Sequence, residues 1–99
     1  MRVMHTLTAH GVCPVNGDKD TYRVIVTILQ ADHAEPVAVE SILDVVECLT
    51  AQPIYQEALT AQLATQLSAG WDGRKVIVTT SGYHGPASSR VETDCTVEA

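Results

Sequence analysis

The stretch VVECLTAQPIYQEALTAQLA, from Val45 to Ala64, decides the fold because it holds parts of two helical patterns separated by a proline. The first pattern opens at Pro36 and places apolar residues at helical spacing, at Val39, Ile42, Leu43, Val46 and Leu49. Pro53 ends that pattern and can also begin the second helix, since proline is tolerated in a first turn. The second pattern has the apolar stripe Leu59, Leu63 and Leu67, with Gly70 as its candidate terminator.

Strand patterns lie on both sides of the two predicted helices. Thr21–Ala31 alternates β-branched and other apolar residues on much of both faces, which is typical of a well-buried strand, and Arg2–Ala9 is its expected partner. Lys75–Thr80 and Arg90–Val97 are predicted strands, and Ser81–Ser89 is a predicted loop with two glycines and a proline. The order strand-strand-helix-helix-strand-strand predicts an α+β fold, with an antiparallel four-stranded sheet and two helices on one face. We expect one domain spanning residues 1–99.

The composition is that of an ordinary globular protein. Hydrophobic residues make up 45% of the chain and charged residues 18%. The formal net charge is -6 with only six Lys+Arg, and no basic run occurs. Because phosphate binding needs clustered cations, the sequence argues against a non-specific nucleic-acid surface and fits a small or nucleobase-like ligand better.

Hydropathy and cysteine usage predict a cytoplasmic protein that does not enter a membrane. No apolar run approaches the roughly 20 residues that span a bilayer, and Met1–Leu7 lacks the apolar core of a signal peptide. Cys13, Cys48 and Cys95 are odd in number and widely spaced, which argues against a disulfide framework. No CxxC or HxxxH spacing is present, so no metal site is expected.

The segment CPVNGDKD, from Cys13 to Asp20, places a thiol and a carboxylate seven residues apart across a Pro/Asn/Gly turn. Such a turn can fold back so that both side chains face one space. A soft nucleophile beside a proton donor suits covalent chemistry on an electrophilic carbon such as a nitrile or carbonyl. The alternative for a single cysteine is a small buried hydrophobe.

These segments resemble the tunnelling-fold (T-fold) enzymes, which act on purines and pterins. CPVNGDKD resembles the CPVTGQPD motif of the QueF family, and Val39–Ser41 resembles the start of that family's VESKSLK segment. Val45–Ala64 is similar to IVEIYARRPQVQERLTEQIA of GTP cyclohydrolase I, a relative within the same fold. The resemblance implies a 7-deazaguanine-pathway enzyme of queuosine- or archaeosine-type biosynthesis. It also implies a ring-shaped homo-oligomer with active sites between subunits, whose neighbours close the open sheet edges.

The resemblance implies a catalytic pair. Cys13 matches the thiolate that adds to the nitrile of 7-cyano-7-deazaguanine and forms a covalent thioimide, and Asp20 matches the general acid that protonates the nitrile nitrogen. Asp18 is the competing acid, although short polar side chains in turns commonly bond to their own backbone. GTP cyclohydrolase I binds zinc through a Cys-x-x-His segment and a later cysteine on the third strand. Here Cys13 is followed by Pro, Val and Asn, and Thr79–Tyr83 holds no cysteine, so zinc-dependent ring opening is not expected.

The resemblance also implies a substrate-binding set. Glu57 matches the glutamate that anchors the heterocycle, although a glutamate in a first helical turn is also favourable against the helix dipole. Gln56 replaces the histidine of the reductases but agrees with the glutamine of the cyclohydrolases. Glu40 and Ser41 belong to the matched VES segment, and His84, in a predicted loop, could face the ligand or solvent.

The segment after Glu40 bears on the reaction. QueF reductases carry lysines there, in a segment associated with NADPH, whereas this chain reads Glu40-Ser41-Ile42-Leu43-Asp44-Val45. Phosphates of NADPH require cations or helix N-termini. We therefore expect no cofactor and a non-reductive outcome, as in the QueF-like amidinotransferases, which add ammonia to the thioimide. The alternatives are an NADPH-dependent nitrile reductase and a non-catalytic protein that binds purines or pterins.

Overall fold

The computed structural model describes residues 1–72 and 74–99. In chain order its elements are β1 (Arg2–Val12), β2 (Lys19–Leu29), α1 (Val39–Thr50), α2 (Gln56–Gly70), β3 (Lys75–His84) and β4 (Val91–Glu98). The predicted order of elements is confirmed. The strands form one antiparallel sheet in the order β1-β2-β3-β4, and both helices lie in the connection between β2 and β3. Helix α2 packs on β3 and β4, and α1 packs on β1 and α2.

The core lies between the helices and one face of the sheet. Strand β2 contributes Tyr22, Val24, Val26 and Ile28, each no more than 1% exposed. The predicted leucine stripe of α2 (Leu59, Leu63 and Leu67) is buried against the sheet. The other face of β2 is exposed over its first half and only partly buried over its second half, so the prediction of a well-buried strand is correct for one face alone. The helices cover one face alone, which leaves Ile25, Thr27 and Leu29 partly open.

Helix α1 buries a narrower stripe than its sequence predicts. Ile42 and Val46 are buried, whereas Val39 and Leu43 are about half exposed, at 46% and 48%. The reason is position: α1 contacts the edge strand β1 and helix α2, so fewer of its turns face the core. No helix in the described ranges is long and apolar enough to cross a membrane.

Several elements have bounds that differ from the predicted ones: among them, strands β1 and β3 end later than predicted, and helix α2 begins later. Strand β1 continues to Val12 and β3 continues to His84, since each has a neighbouring strand along its added length. Helix α2 begins at Gln56, three residues after the predicted start at Pro53. Its N-cap Tyr55 has extended backbone angles, and the amide of Ile54 donates to the carbonyl of Val12, so this segment follows the end of β1 before the helix begins.

Candidate active site

The turn that carries the thiol is closed by its own backbone. The Cys13 amide donates to the Asp18 carbonyl at 2.8 Å, and the Gly17 amide donates to the Cys13 carbonyl at 3.0 Å. Gly17 has a φ of 76°, in the left-handed region that glycine adopts without strain. The side-chain bond of the turn comes from Asn16, whose Oδ1 accepts from the Asp18 amide at 2.9 Å. Asp18 therefore belongs to the turn through its backbone, and its carboxylate is exposed.

Asp20 is oriented by a buried tyrosine. Asp20 lies two residues before Tyr22 on β2, on the strand face that the helices cover. The Tyr22 hydroxyl donates to Asp20 Oδ2 at 3.0 Å. Burial first, and then the Asp20 carboxylate, raise the pKa of Tyr22 above its ordinary value, so the phenol keeps its proton and remains a donor. This contact holds the carboxyl group of Asp20 in one direction.

Gly82 makes room for the Tyr22 ring. The two residues are paired across β2 and β3. A Cβ atom at position 82 would lie 2.5 Å from Tyr22 Cδ1 and 2.8 Å from Cε1, closer than carbon atoms can approach. From the sequence, Gly82 was only one glycine of a predicted loop. The need for a glycine there could not be predicted, because the clash depends on the register of β2 and β3. Gly82 thus permits the ring position that supports Asp20.

Five predicted site residues surround one cavity of about 290 Å³. Cys13 and Asp20 contribute from the turn and from β2, Gln56 and Glu57 from the start of α2, and His84 from the end of β3. Much of the remaining wall is apolar and comes from the residues Pro14, Tyr22, Ile54, Tyr55 and Val91. An apolar cavity with a few converging polar groups is the usual form of a small-molecule site.

Gln56 is a buried link between elements. Its side chain is 2% exposed. Its Nε2 donates to the carbonyl of Thr93 at 2.8 Å, and to the carbonyl and Oγ1 of Thr80, each at 3.1 Å. Its Oε1 lies 2.6 Å from His84 Nε2. The polar atoms of Gln56 are therefore engaged within the protein, although the residue borders the cavity.

Glu57 places a carboxylate at the cavity wall that no described residue binds. It lies in the first turn of α2, it is exposed, and no hydrogen bond or ion pair engages it within residues 1–72 and 74–99. Its charge reaches the neighbouring strand: burial and then the Glu57 carboxylate raise the pKa of the half-buried Cys95 thiol. A free carboxylate at the cavity wall can accept hydrogen bonds from a ligand.

The other predicted residues occupy different positions. His84 was predicted in a loop, but it is the last residue of β3, half-buried, and bonded to Gln56. Glu40 and Ser41 lie in the first turn of α1 and are not among the described residues that line the cavity. Within the described ranges, no cluster of three His, Cys, Asp or Glu side chains is arranged to hold a metal ion.

A wider groove of about 1120 Å³ adjoins the cavity and shares Cys13, Asp20 and His84 with it. Half of the chain's six Lys+Arg, namely Lys19, Arg23 and Arg90, line this groove. The three cations come from separate parts of the sequence, so no basic run revealed them. The carboxylates Asp18, Asp20 and Glu92 also line it, and its formal charges therefore balance in a protein of charge -6.

The fold is the two-layer α+β fold that the T-fold resemblance predicted. A crystal structure described as archaeosine synthase QueF-Like in the apo form matches it with a TM-score of 0.77 and 22% sequence identity, over 96% of this chain and 91% of that chain. The sequence matches no family model, and no curated protein matches it. At 22% identity the likeness establishes the fold, and the activity has to be argued from the site.

Proposed function

We propose that this protein is a QueF-like enzyme that acts on the nitrile of 7-cyano-7-deazaguanine and converts it to an amidine. The observation that carries the proposal is the meeting of Cys13, Asp20 and Glu57 around one cavity of about 290 Å³. A nucleophile, a proton donor and an anchor for a purine edge are the groups that this chemistry needs. The structural likeness to an archaeosine synthase supports the same pathway.

The first half of the reaction joins the thiol to the nitrile. The sulfur of Cys13 adds to the nitrile carbon, the nitrile nitrogen takes a proton from Asp20, and the Asp20 carboxylate recovers a proton from the thiol, which balances the step. Tyr22 supports it by donating to Asp20 Oδ2. Glu57 accepts hydrogen bonds from the ring N–H and the exocyclic amino group of the base, a donor pair that suits a carboxylate.

The structure of α1 supports the non-reductive outcome. Aligning VESKSLK with Val39–Val45 puts the two family lysines at Ile42 and Val45. Ile42 is 1% exposed, and Val45 is partly buried against the core. Both positions therefore serve packing and present no cation, while the exposed Asp44 adds a negative charge beside them. These residues do not fit the phosphates of NADPH, which need positive partners.

Intact-protein mass spectrometry with 7-cyano-7-deazaguanine tests the thioimide. We expect the wild-type mass to rise by the mass of the nitrile, and Cys13→Ala to show no increase, because the nucleophile is gone. Cys48→Ala is the matched control, since this thiol is exposed on α1 and does not line the cavity, and it should behave as wild type. An equal adduct on Cys13→Ala, or none on wild type, would rule the proposal out.

The same incubation separates the alternatives. Loss of the adduct with ammonia, giving the amidine, supports the proposed reaction. Consumption of NADPH with release of the aminomethyl base would establish the reductase instead. Tight binding of the nitrile with no adduct and no turnover would indicate a non-catalytic binding protein. Presenting the nitrile as free base, as nucleoside and within a nucleic acid determines which form is the substrate.

A further inference from the structure

We propose that His84 is the proton acceptor for the incoming amine, with Nδ1 as the accepting atom, and that Gln56 positions it by keeping Nε2 protonated. The proposal rests on the proposed function, because it assigns the base for the second half of that reaction. It arises from the contact between His84 Nε2 and Gln56 Oε1, which the nitrile-adding half of the reaction does not use.

The orientation of the Gln56 amide is set by its partners. Two backbone carbonyls, of Thr80 and Thr93, lie within 3.1 Å of one end of the amide. Carbonyl oxygens only accept hydrogen bonds, so that end must be the NH₂ group. The opposite rotamer would place Oε1 against both carbonyls in a site that is 2% exposed, where unpaired acceptors are strongly unfavourable. Oε1 therefore faces His84.

The amide orientation then sets the tautomer of His84. Oε1 of Gln56 lies 2.6 Å from His84 Nε2 and cannot donate, so Nε2 must carry a hydrogen and donate it. In the neutral ring the lone pair consequently belongs to Nδ1. Within residues 1–72 and 74–99, no hydrogen bond engages Nδ1. His84 lines both the cavity and the adjoining groove. Its basic atom, Nδ1, is therefore part of a residue at the proposed reaction site.

The other candidate bases have other roles in the reaction. Asp20 accepts from Tyr22 and is needed at the nitrile nitrogen. Glu57 is needed for the purine edge. His84 is the one histidine among the residues that line the cavity in the described part of the chain. An imidazole is also well suited to exchange protons near neutral pH.

The step balances without an oxidant or a reductant. Ammonia adds through its lone pair to the carbon of the thioimide, and His84 Nδ1 takes one proton from the attacking nitrogen. The carbon–sulfur bond then breaks, the electron pair leaves with the Cys13 sulfur, and the imidazolium returns the proton to that sulfur. The products are the amidine and the free thiol.

A nuclear magnetic resonance experiment tests the tautomer without any reaction. Long-range ¹H–¹⁵N correlation spectra of the wild-type protein, with His84 assigned by comparison with His84→Gln, report which ring nitrogen carries the hydrogen in the neutral form. We expect the protonated nitrogen to be Nε2. A protonated Nδ1 would overturn the proposal, because the basic atom would then face Gln56.

A kinetic experiment tests the role. The adduct is formed without ammonia, ammonia is added, and decay of the adduct is followed by mass. His84→Gln keeps a donor for Gln56 but has no basic nitrogen, so we expect the rate of the amine step, relative to that of adduct formation, to fall by about 100-fold. His33→Gln is the control, since His33 is exposed in the connection before α1, and its ratio should match wild type.

An unchanged ratio in His84→Gln would overturn the role of His84, because a merely structural bond to Gln56 survives in that variant. A wild-type protein that forms no adduct would overturn the proposed function and the proton-transfer role together. The nuclear magnetic resonance spectrum still decides the tautomer in that case, so the two failures are distinguishable.

Discussion

Tyr22 is the residue on which the geometry of the site depends. Its ring is 1% exposed, its hydroxyl donates to Asp20, and its ring position requires a glycine on the neighbouring strand. The sequence showed Tyr22 only as one apolar member of a strand pattern. Its role follows from a hydrogen bond and a close approach that strand register creates, and for that reason periodicity alone could not reveal it.

The pKa of Tyr22 predicts how stability changes in alkali. The folded protein keeps the phenolic proton at pH values where the unfolded chain has lost it, because burial and Asp20 raise this pKa above its ordinary value of about 10. The stability that the protonated Tyr22 phenol contributes to the folded state is therefore fully present below about pH 10, and it is lost as the pH rises through the raised pKa. We expect the free energy of unfolding of wild type to fall more steeply above about pH 10 than that of Tyr22→Phe.

Urea unfolding at a series of alkaline pH values measures this difference. Tyr83→Phe is the control, since Tyr83 is 59% exposed, and its slope should follow wild type. Equal slopes for wild type and Tyr22→Phe would contradict the assignment of this phenol as a buried donor.

At the scale of elements, the start of α2 joins the helix layer to the sheet through polar contacts. Gln56 Nε2 bonds to residues of β3 and β4. Thr60, one turn later, bonds to Gln56 O at 2.8 Å and to Thr80 Oγ1 at 2.6 Å, all within the core. These contacts place Glu57 and His84 at the same cavity. The apolar stripe of α2 was predictable, whereas the polar network depends on three elements meeting.

Removing this network should destabilise the protein. We expect Gln56→Leu to lower the free energy of unfolding by about 1–3 kcal/mol, because the buried carbonyl of Thr80 and the partly buried carbonyl of Thr93 lose their donor. Gln62→Leu, at an exposed position of the same helix, should change it by less than about 0.5 kcal/mol. Urea unfolding checks both variants, and a Gln56→Leu protein as stable as wild type would show that the network is dispensable.

At the scale of the whole molecule, the sheet ends in two edge strands, β1 and β4. Large apolar side chains are exposed near these edges, with Met4 at 53% and Val91 at 62%. Open edges of this kind favour pairing with another chain. Glu40 and Ser41 are not among the described residues that line the cavity of their own chain, so a role for them in substrate binding, which the family resemblance implies, would require a neighbouring subunit.

We therefore predict a closed homo-oligomer in which β1 and β4 of adjacent subunits pair. Native mass spectrometry and light scattering should give the mass of an assembly of several chains, each of 10.6 kDa. A stable monomer across the working concentration range would contradict both the ring and the intersubunit role of Glu40 and Ser41.

Part of the site could be predicted from the sequence because its members lie in short motifs. The turn from Cys13 to Asp20 and the first turn of α2 are local features, and the structure places both at one cavity. His84 was predicted in a loop, because the pairing that extends β3 to that residue involves β4, which follows it in the chain. The exposure of Val39 and Leu43 was likewise not predictable, since helical periodicity shows which residues share a face but not what covers that face.

The sequence by itself determined the order of elements, the leucine stripe of α2 and the presence of a thiol and a carboxylate in one turn, because these depend on near neighbours in the chain. Tertiary structure alone decided that Tyr22 orients Asp20, that Gly82 must lack a side chain, and that Gln56 fixes His84. Those properties depend on strand register and on the contact of α2 with β3 and β4. Groups far apart in sequence meet only when the sheet is assembled.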